Sequence, residues 1–313
     1  MIKRVTYLFL SLVQSYLFII IIALGAGLTF PDKAIVLAPF TTLFLQIVFF
    51  LTSLKLDPKL IFKATKDYKM LLATNIFMLL LLPAVVFLLV DPFVPALAIV
   101  LLLLSAMPSG MTTPLLTEVV GGNTGLALVL TLTTSLLAPI TVPLVISIFA
   151  KTAVTVSAFT MFWSLVKVII VPFILAQIVR HFFHKHIKFT FFTFKPISLL
   201  LLGLLIAGEV ARQAWVIVNG IGTHIILLLI VLFIFTALLF VAGYFVSFWR
   251  PCQDRLTIAV TLTFMNFTLA IYLAGNFFSD PNVLLASVLV IFPWTLMLLP
   301  FKTIVRRYVC PIR

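Results

Sequence analysis

Two short stretches of this chain place polar and helix-breaking residues inside otherwise apolar sequence. The first is Met107-Pro108-Ser109-Gly110-Met111-Thr112-Thr113-Pro114, and the second is Thr261-Leu262-Thr263-Phe264-Met265-Asn266-Phe267-Thr268. Two prolines and a glycine interrupt the first, whereas the second concentrates hydroxyls and an amide. The chemistry such breaks suit is recognition: unwound backbone offers amide dipoles, half-helix ends and hydroxyls to a solute. Pro108, Ser109, Gly110 and Thr112, with Asn266 and Thr268, are therefore the candidate substrate-binding residues. A plain proline kink is the bland alternative for the first stretch, but a second polar break at the corresponding place in the other half of the chain argues against it.

A second kind of chemistry rests on ionisable side chains in long apolar runs. Of the eight acids, Asp32, Asp57, Asp67, Asp91, Asp254 and Asp280 fall in connections, Glu118 lies near the end of a run, and Glu209 alone sits deep within one. Lys167 is similarly placed. Charges at such depth are costly and by default functional, so Glu209 and Lys167 are candidates for coupling by charge or proton. A structural alternative pairs Glu209 with Arg212, one helical turn away, while Arg212 reaches outward.

Other constellations carry less. His181, His184 and His186 are interleaved with Arg180, Lys185 and Lys188, which repel a divalent cation and suit lipid headgroups instead. Cys252 stands in a short basic loop and Cys310 in a basic tail, a pattern that supports neither a disulfide framework nor a buried thiolate site. No G-x-S-x-G, Walker A, G-x-G-x-x-G or H-E-x-x-H sequence occurs, so no enzyme is expected. Asn266-Phe267-Thr268 matches a glycosylation sequon at a depth where no glycan can be attached.

The elements that must position these groups follow from composition. The 313 residues are 64% hydrophobic and 9% charged, with a mean hydropathy of +1.32. A soluble domain carries roughly 25% charged residues, so a wetted surface cannot be built from this chain. Spanning helices of about 20 residues are expected at 6–28, 35–53, 70–90, 95–120, 124–150, 157–180, 196–218, 224–247, 256–278 and 283–305. The apolar run from Val5 to Phe30 is too long for the hydrophobic region of a signal peptide and lacks a clear A-x-A site, so it is expected to be the first span.

Of the 21 basic residues, all but Lys33, Lys151, Lys167 and Arg212 fall in alternate connections or the termini. That bias puts both termini in the cytoplasm of a cell membrane. Net charge +13 is thus explained by membrane topology, with no nucleic-acid partner. Lys59, Lys63 and Lys66, at helical spacing after Pro58, read as a cytoplasmic interfacial helix. Five spans on each side of residue 153 make two repeats, 1–153 and 154–313, whose odd number forces opposite orientations.

At its two breaks the sequence resembles the bile acid:sodium symporter family. Leu54-Lys55-Leu56-Asp57-Pro58 resembles the family's turn G-L-x-L-x-P, and Val171-Pro172-Phe173-Ile174-Leu175 its L-P-x-x-L-G. The stretch from Pro108 to Pro143, with Gly121-Gly122-Asn123 and Ala138-Pro139-Ile140-Thr141-Val142-Pro143, resembles its most specific segment, and Asn266-Phe267-Thr268-Leu269-Ala270 stands where the family has N-S-G-L-A. The resemblance implies an all-α fold of ten transmembrane helices in two inverted five-helix repeats, divided into a panel and a core domain, with broken helices four and nine crossing. It also implies two sodium sites at the crossing. Carried over by position, the sodium-site places are Thr113 and Thr131, together with Thr261 and Thr263 in the ninth span. Pro114, Ala127, Thr261, Met265 and Met78 replace the family's asparagine, serine, glutamate and two glutamines. Sodium seeks several hard oxygen ligands, so both sites are expected to be weak or absent, with backbone oxygens leaving room for one weak site.

The resulting expectation is a secondary transporter of a bile-acid-like or small carboxylate anion, working by alternating access without a cofactor and with membrane lipids as its surroundings. The alternatives are a proton-coupled or uncoupled transporter of the same fold, and a membrane sensor or scaffold that moves nothing.

Overall fold

The computed structural model describes residues 16–55, 68–150, 157–220, 223–305 and 307. The basic start at Lys3-Arg4, the Lys59–Lys66 segment, the boundary at residue 153, Lys151 and Cys310 lie outside those residues, as do the side chains of His184, His186 and His224. The described chain is helical throughout and contains no strand; its one sheet-like feature is an isolated bridge.

In chain order the helices are α1 (Tyr16–Thr29), α2 (Pro31–Ser53), α3 (Tyr68–Val90), α4 (Pro95–Ala106), α5 (Thr113–Val120), α6 (Thr124–Phe149), α7 (Ala158–Phe183), α8 (Thr193–Trp215), α9 (Thr223–Phe245), α10 (Cys252–Thr263), α11 (Phe267–Phe277) and α12 (Pro281–Ile304). Seven apolar segments among them are long enough to cross a membrane, and three shorter apolar helices lie at Phe18–Thr29, Pro95–Ala106 and Phe267–Phe277. The protein is therefore a membrane protein. The last two short helices are halves of segments that the sequence reads as single interrupted runs.

Local sequence explains the irregularities. Pro83 and Pro172 each follow a π-helical turn, at Phe77–Leu81 and Val166–Ile170. A proline ring collides with the carbonyl four residues back and removes its own N–H, and a wider turn relieves both problems. Between α7 and α8 the helix is broken at Phe183, where φ is −117° and ψ 21°.

Burial sorts the helices into an interior set and a lipid-facing set. In the hydropathic window of α6, 67% of residues are buried, against 28% for α2, α7 and α9. Large apolar side chains such as Leu88, Leu89, Ile226 and Leu238 are exposed. In water that surface would be an aggregation hazard, but in a bilayer it is the solvent-compatible face. The ends of the bundle differ in charge. Lys55, Arg180, Arg250 and Arg255 mark a basic end, whereas the connections before α2 and α4 and between α11 and α12 form the opposite end.

At the basic end the structure corrects two readings. Asp254, expected in a loop, lies in the first turn of α10 and is buried. It accepts from Arg250 Nε and Nη2 at 3.1 and 2.8 Å and from Asn123 Nδ2 at 3.0 Å, while Asn123 N donates to Thr257 Oγ1 at 2.7 Å. The acid thus ties the start of α6 to α10. Cys252 is disulfide-bonded, where the sequence had supported no disulfide framework.

Candidate functional site

The two breaks meet. Pro108 has no backbone N–H and forces the preceding residue out of helical geometry, so α4 stops at Met107 with φ −71° and ψ 144°. Six residues on from Met107, α5 starts at Thr113 with Pro114 in its first turn, where the missing N–H costs nothing. The second break contains no proline. It is built by Asn266, whose side chain accepts from Leu269 N at 3.1 Å and so caps α11, leaving Phe264 and Met265 outside both helices.

The unwound segments then satisfy one another. Gly110 N donates to Phe264 O at 2.8 Å and Asn266 N donates to Pro108 O at 2.7 Å, forming an antiparallel bridge between Ser109 and Met265. In hydrocarbon each of these groups left alone would cost several kcal/mol. The approach is close enough to require glycine, because a Cβ on residue 110 would stand 2.9 Å from Phe264 O and 3.0 Å from Met265 O.

Hydroxyls fill the space beside the bridge. Ser109 Oγ donates to Thr113 Oγ1 at 3.0 Å, and Thr113 Oγ1 donates to Phe264 O at 3.1 Å. With the Ser109 proton committed, Thr131 Oγ1, 3.2 Å from Ser109 Oγ, must be the donor to it. A one-way relay therefore runs Thr131, Ser109, Thr113, Phe264 carbonyl. Thr134 Oγ1 adds a bond from Ser109 N at 3.2 Å. Ser109, Thr113, Thr131 and Thr134 are all fully buried.

The sequence-derived residues fall around this point. Pro108, Ser109, Gly110 and Asn266 form the crossing itself, Thr112 stands half-buried at the head of α5, and Thr268 lies in the first turn of α11. Thr113 and Thr131 share the relay, but Thr261 and Thr263 do not. Their hydroxyls turn back on their own helix, to Thr257 O at 2.7 Å and Ala259 O at 2.8 Å. Met78, Met265 and Ala127 are buried and bring no ligand oxygen.

As a cation site the cluster fits poorly. No carboxylate stands in it, since Glu118 is exposed and the buried Asp254 is engaged at the basic end. Ser109 Oγ and Thr113 Oγ1 each spend a lone pair accepting within the relay. Among the described residues no group of three or more His, Cys, Asp or Glu gathers anywhere.

The deep acid lies elsewhere. Glu209, on α8, is fully buried, and its Oε2 stands 3.8 Å from Arg212 Nη1. The Lys167 side chain is exposed and makes no salt bridge with it. Glu209 Oε1 accepts from Asn276 Nδ2, on α11, at 3.0 Å. Asn276, Tyr272 and Thr134 went unnoticed in the sequence. Asn276 gave the only available signal, an amide near the end of an apolar segment.

No curated protein matches the chain. A family model described as Sodium Bile acid symporter family matches residues 42–220, which include the first break and end before the second.

Proposed function

From the premise that the chain belongs to the sodium bile acid symporter family, we propose that it is a secondary transporter of an organic anion that works by alternating access, with the crossing of α4/α5 and α10/α11 as the floor of its binding cavity. The observation that carries this reading is the antiparallel bridge between the two breaks. It supports two crossed helices in oppositely oriented halves, and with them ten crossings in two inverted repeats, 1–153 and 154–313. In that arrangement α1, α2, α7 and α8 are the panel, and the remaining helices are the core.

An anion suits the site because the N-termini of α5 and α11 both begin at the crossing, where partial positive charge gathers without a charged side chain. Pro108, Ser109, Gly110, Thr112, Asn266 and Thr268 contribute backbone and hydroxyl groups to it. The basic end faces the cytoplasm of a cell membrane, by the distribution of lysine and arginine. Helix α11 packs against α2 and α8, whereas α5 leaves Leu115 64% exposed.

Sodium binding is weak or absent in this reading. The relay of Ser109, Thr113 and Thr131 is neutral and internally satisfied, and the family's carboxylate position carries Thr261. A second reading, proton-coupled or uncoupled transport on the same fold, is favoured by one observation: a fully buried carboxylate, Glu209, lies between α8 and α11.

Flux in proteoliposomes tests the proposal. A panel of organic anions, from a bile acid to a small monocarboxylate, is offered with inside and outside solutions of sodium, potassium or choline at matched ionic strength. Uptake of at least one anion is expected, at equal rates in the three cations. Stimulation by sodium alone would overturn the loss of the sodium sites. No uptake across the panel would overturn the transporter reading in favour of a membrane sensor.

A further inference from the structure

Around Glu209 three elements are joined by polar side chains in a region otherwise packed by apolar ones. On α8, Arg212 Nη1 faces Glu209 Oε2 at 3.8 Å. The same guanidinium reaches α2, where Nη2 donates to Ala38 O at 3.0 Å, and α11, where Nη1 donates to Asn276 Oδ1 at 3.4 Å. Asn276 Nδ2 is shared between Glu209 Oε1 at 3.0 Å and Tyr272 O at 2.9 Å. One turn away Tyr272 OH meets Ser164 Oγ of α7 at 2.8 Å and accepts from Thr42 Oγ1 of α2 at 3.4 Å. Helix α11 is thus gripped on its α2, α7 and α8 side by one carboxylate, one guanidinium and a set of neutral groups.

The carboxylate is incompletely satisfied. Glu209 Oε2 is buried without a hydrogen-bond donor, and Gly275 packs so closely that a Cβ there would collide with it. A buried polar oxygen without a donor is uncommon and calls for a ligand or a role. We propose that Glu209 is a proton-binding site, and that taking up a proton from solution at Oε2 releases α11 from α8 and α2. The inference rests on the proton-coupled reading above and names the site at which the proton acts.

The surroundings make the switch specific to one residue. The charged partner facing Glu209 from its own helix is Arg212, whose side chain is 35% exposed and provides the path to solvent at the opposite end. From α11 come the neutral Asn276 and Tyr272, and from α2 the neutral Thr41 hydroxyl beside the carboxylate. At the start of α2, Asp32 and Lys33 are exposed, as is Lys167 on α7. Helix α1, packed on α8 through Gly27 and Gly203, carries no acid or base, and neither does α12 over Pro281–Leu289, with Asp280 just before it. When Oε2 gains the proton it becomes a donor, and the Thr41 hydroxyl on the α2 side, whose own proton goes to Ala38 O at 3.0 Å, keeps its lone pairs. The negative charge that held Arg212 and strengthened the Asn276 bond is then gone.

Hydrogen exchange of α11 in the full-length protein in detergent, corrected for the intrinsic effect of pH, tests this without depending on transport. In the wild type, protection of Phe267–Phe277 is expected to fall about tenfold from pH 8 to pH 5, while protection at the crossing side of α6 is unchanged. In Glu209→Gln, which mimics the protonated carboxyl in shape, α11 is expected to exchange at the wild-type low-pH rate at both pH values. In Asn276→Ala, which leaves the carboxylate in place, α11 protection falls but its pH dependence persists. Persistence of the full pH dependence in Glu209→Gln, or its absence in the wild type, would overturn the proposal. Flux separates the two readings: exchange behaviour as expected with no uptake of any anion leaves the proton site standing and removes the transporter.

Discussion

The two half-helices that follow the breaks, α5 and α11, start from the same crossing and have opposite fates. Helix α11 is buried from Thr268 to Ala274 and packs on α2, α4, α8 and α12, with Asn276 bonded to Glu209. Helix α5 packs on α6 and α10 and turns Leu115, Glu118 and Val119 outward. The difference is made by partners rather than by helix propensity. Asn276 and Tyr272 let α11 dock across a polar seam, whereas α5 leaves Leu115 and Glu118 exposed. The two arms of one crossing thus differ in how far they are buried.

The strongest way to break the comparison is at the shared origin. Gly110→Ala places a methyl group against two backbone carbonyls that cannot yield separately. It is expected to cost about 3 kcal/mol through strain and lost bridge hydrogen bonds, read as a large fall in thermal stability in detergent with protection lost at α5 and α11 together. Gly275→Ala meets a side chain instead, the buried Glu209 carboxylate. Its expected cost is smaller, about 1–2 kcal/mol, and its exchange signature is confined to α11.

Ser109→Ala sharpens the contrast from the other direction. It interrupts the hydroxyl relay between Thr131 and Thr113, with an expected cost of about 1 kcal/mol. Because the relay carries no charge, that cost should be the same at pH 5 and pH 8.

The smallest effect is expected at the basic end. Burial, and then the like charge of Lys195, hold the Lys55 ammonium below its ordinary value of 10.5. A base with a lowered folded value binds fewer protons folded than unfolded, so stability rises with pH through a window that ends near 10.5. Lys195→Gln removes the second of these causes. It should raise stability slightly at neutral pH and flatten the alkaline rise, as read by thermal scans from pH 7 to pH 10.5.

Much of this was legible in the residues. Pro108, Gly110 and Pro114 announce the first break, because a proline ring and a missing Cβ act on the local backbone whatever surrounds them. The second break was readable only as a polar run. Its mechanism, an asparagine cap and a partner carbonyl from residue 108, needs a segment far away in the chain. Glu209 was visible as a deep acid, and its pairing with Arg212 was one of two options open. Asn276 was not distinguishable from an ordinary residue at a span end, since its partner lies 67 positions earlier. Asp254 was misplaced for a related reason: its charged and polar neighbours look like a loop until Asn123, far away in the chain, bonds to Asp254 in its buried position.

The amino-acid sequence by itself determined that this chain resides in a membrane, where its apolar segments run and where two of them break. These are sums over neighbouring residues, of transfer free energy and of backbone stereochemistry, and neighbours along the chain are enough to evaluate them. Only the tertiary structure decided that the breaks meet, that the hydroxyls close on themselves, and that α11 is seated while α5 is half exposed. Those outcomes depend on hydrogen bonds between residues far apart in the chain, 22 positions for Ser109 and Thr131, 67 for Glu209 and Asn276 and 151 for Thr113 and Phe264, and in a low-dielectric interior such bonds count only when packing has already brought both partners to the same point.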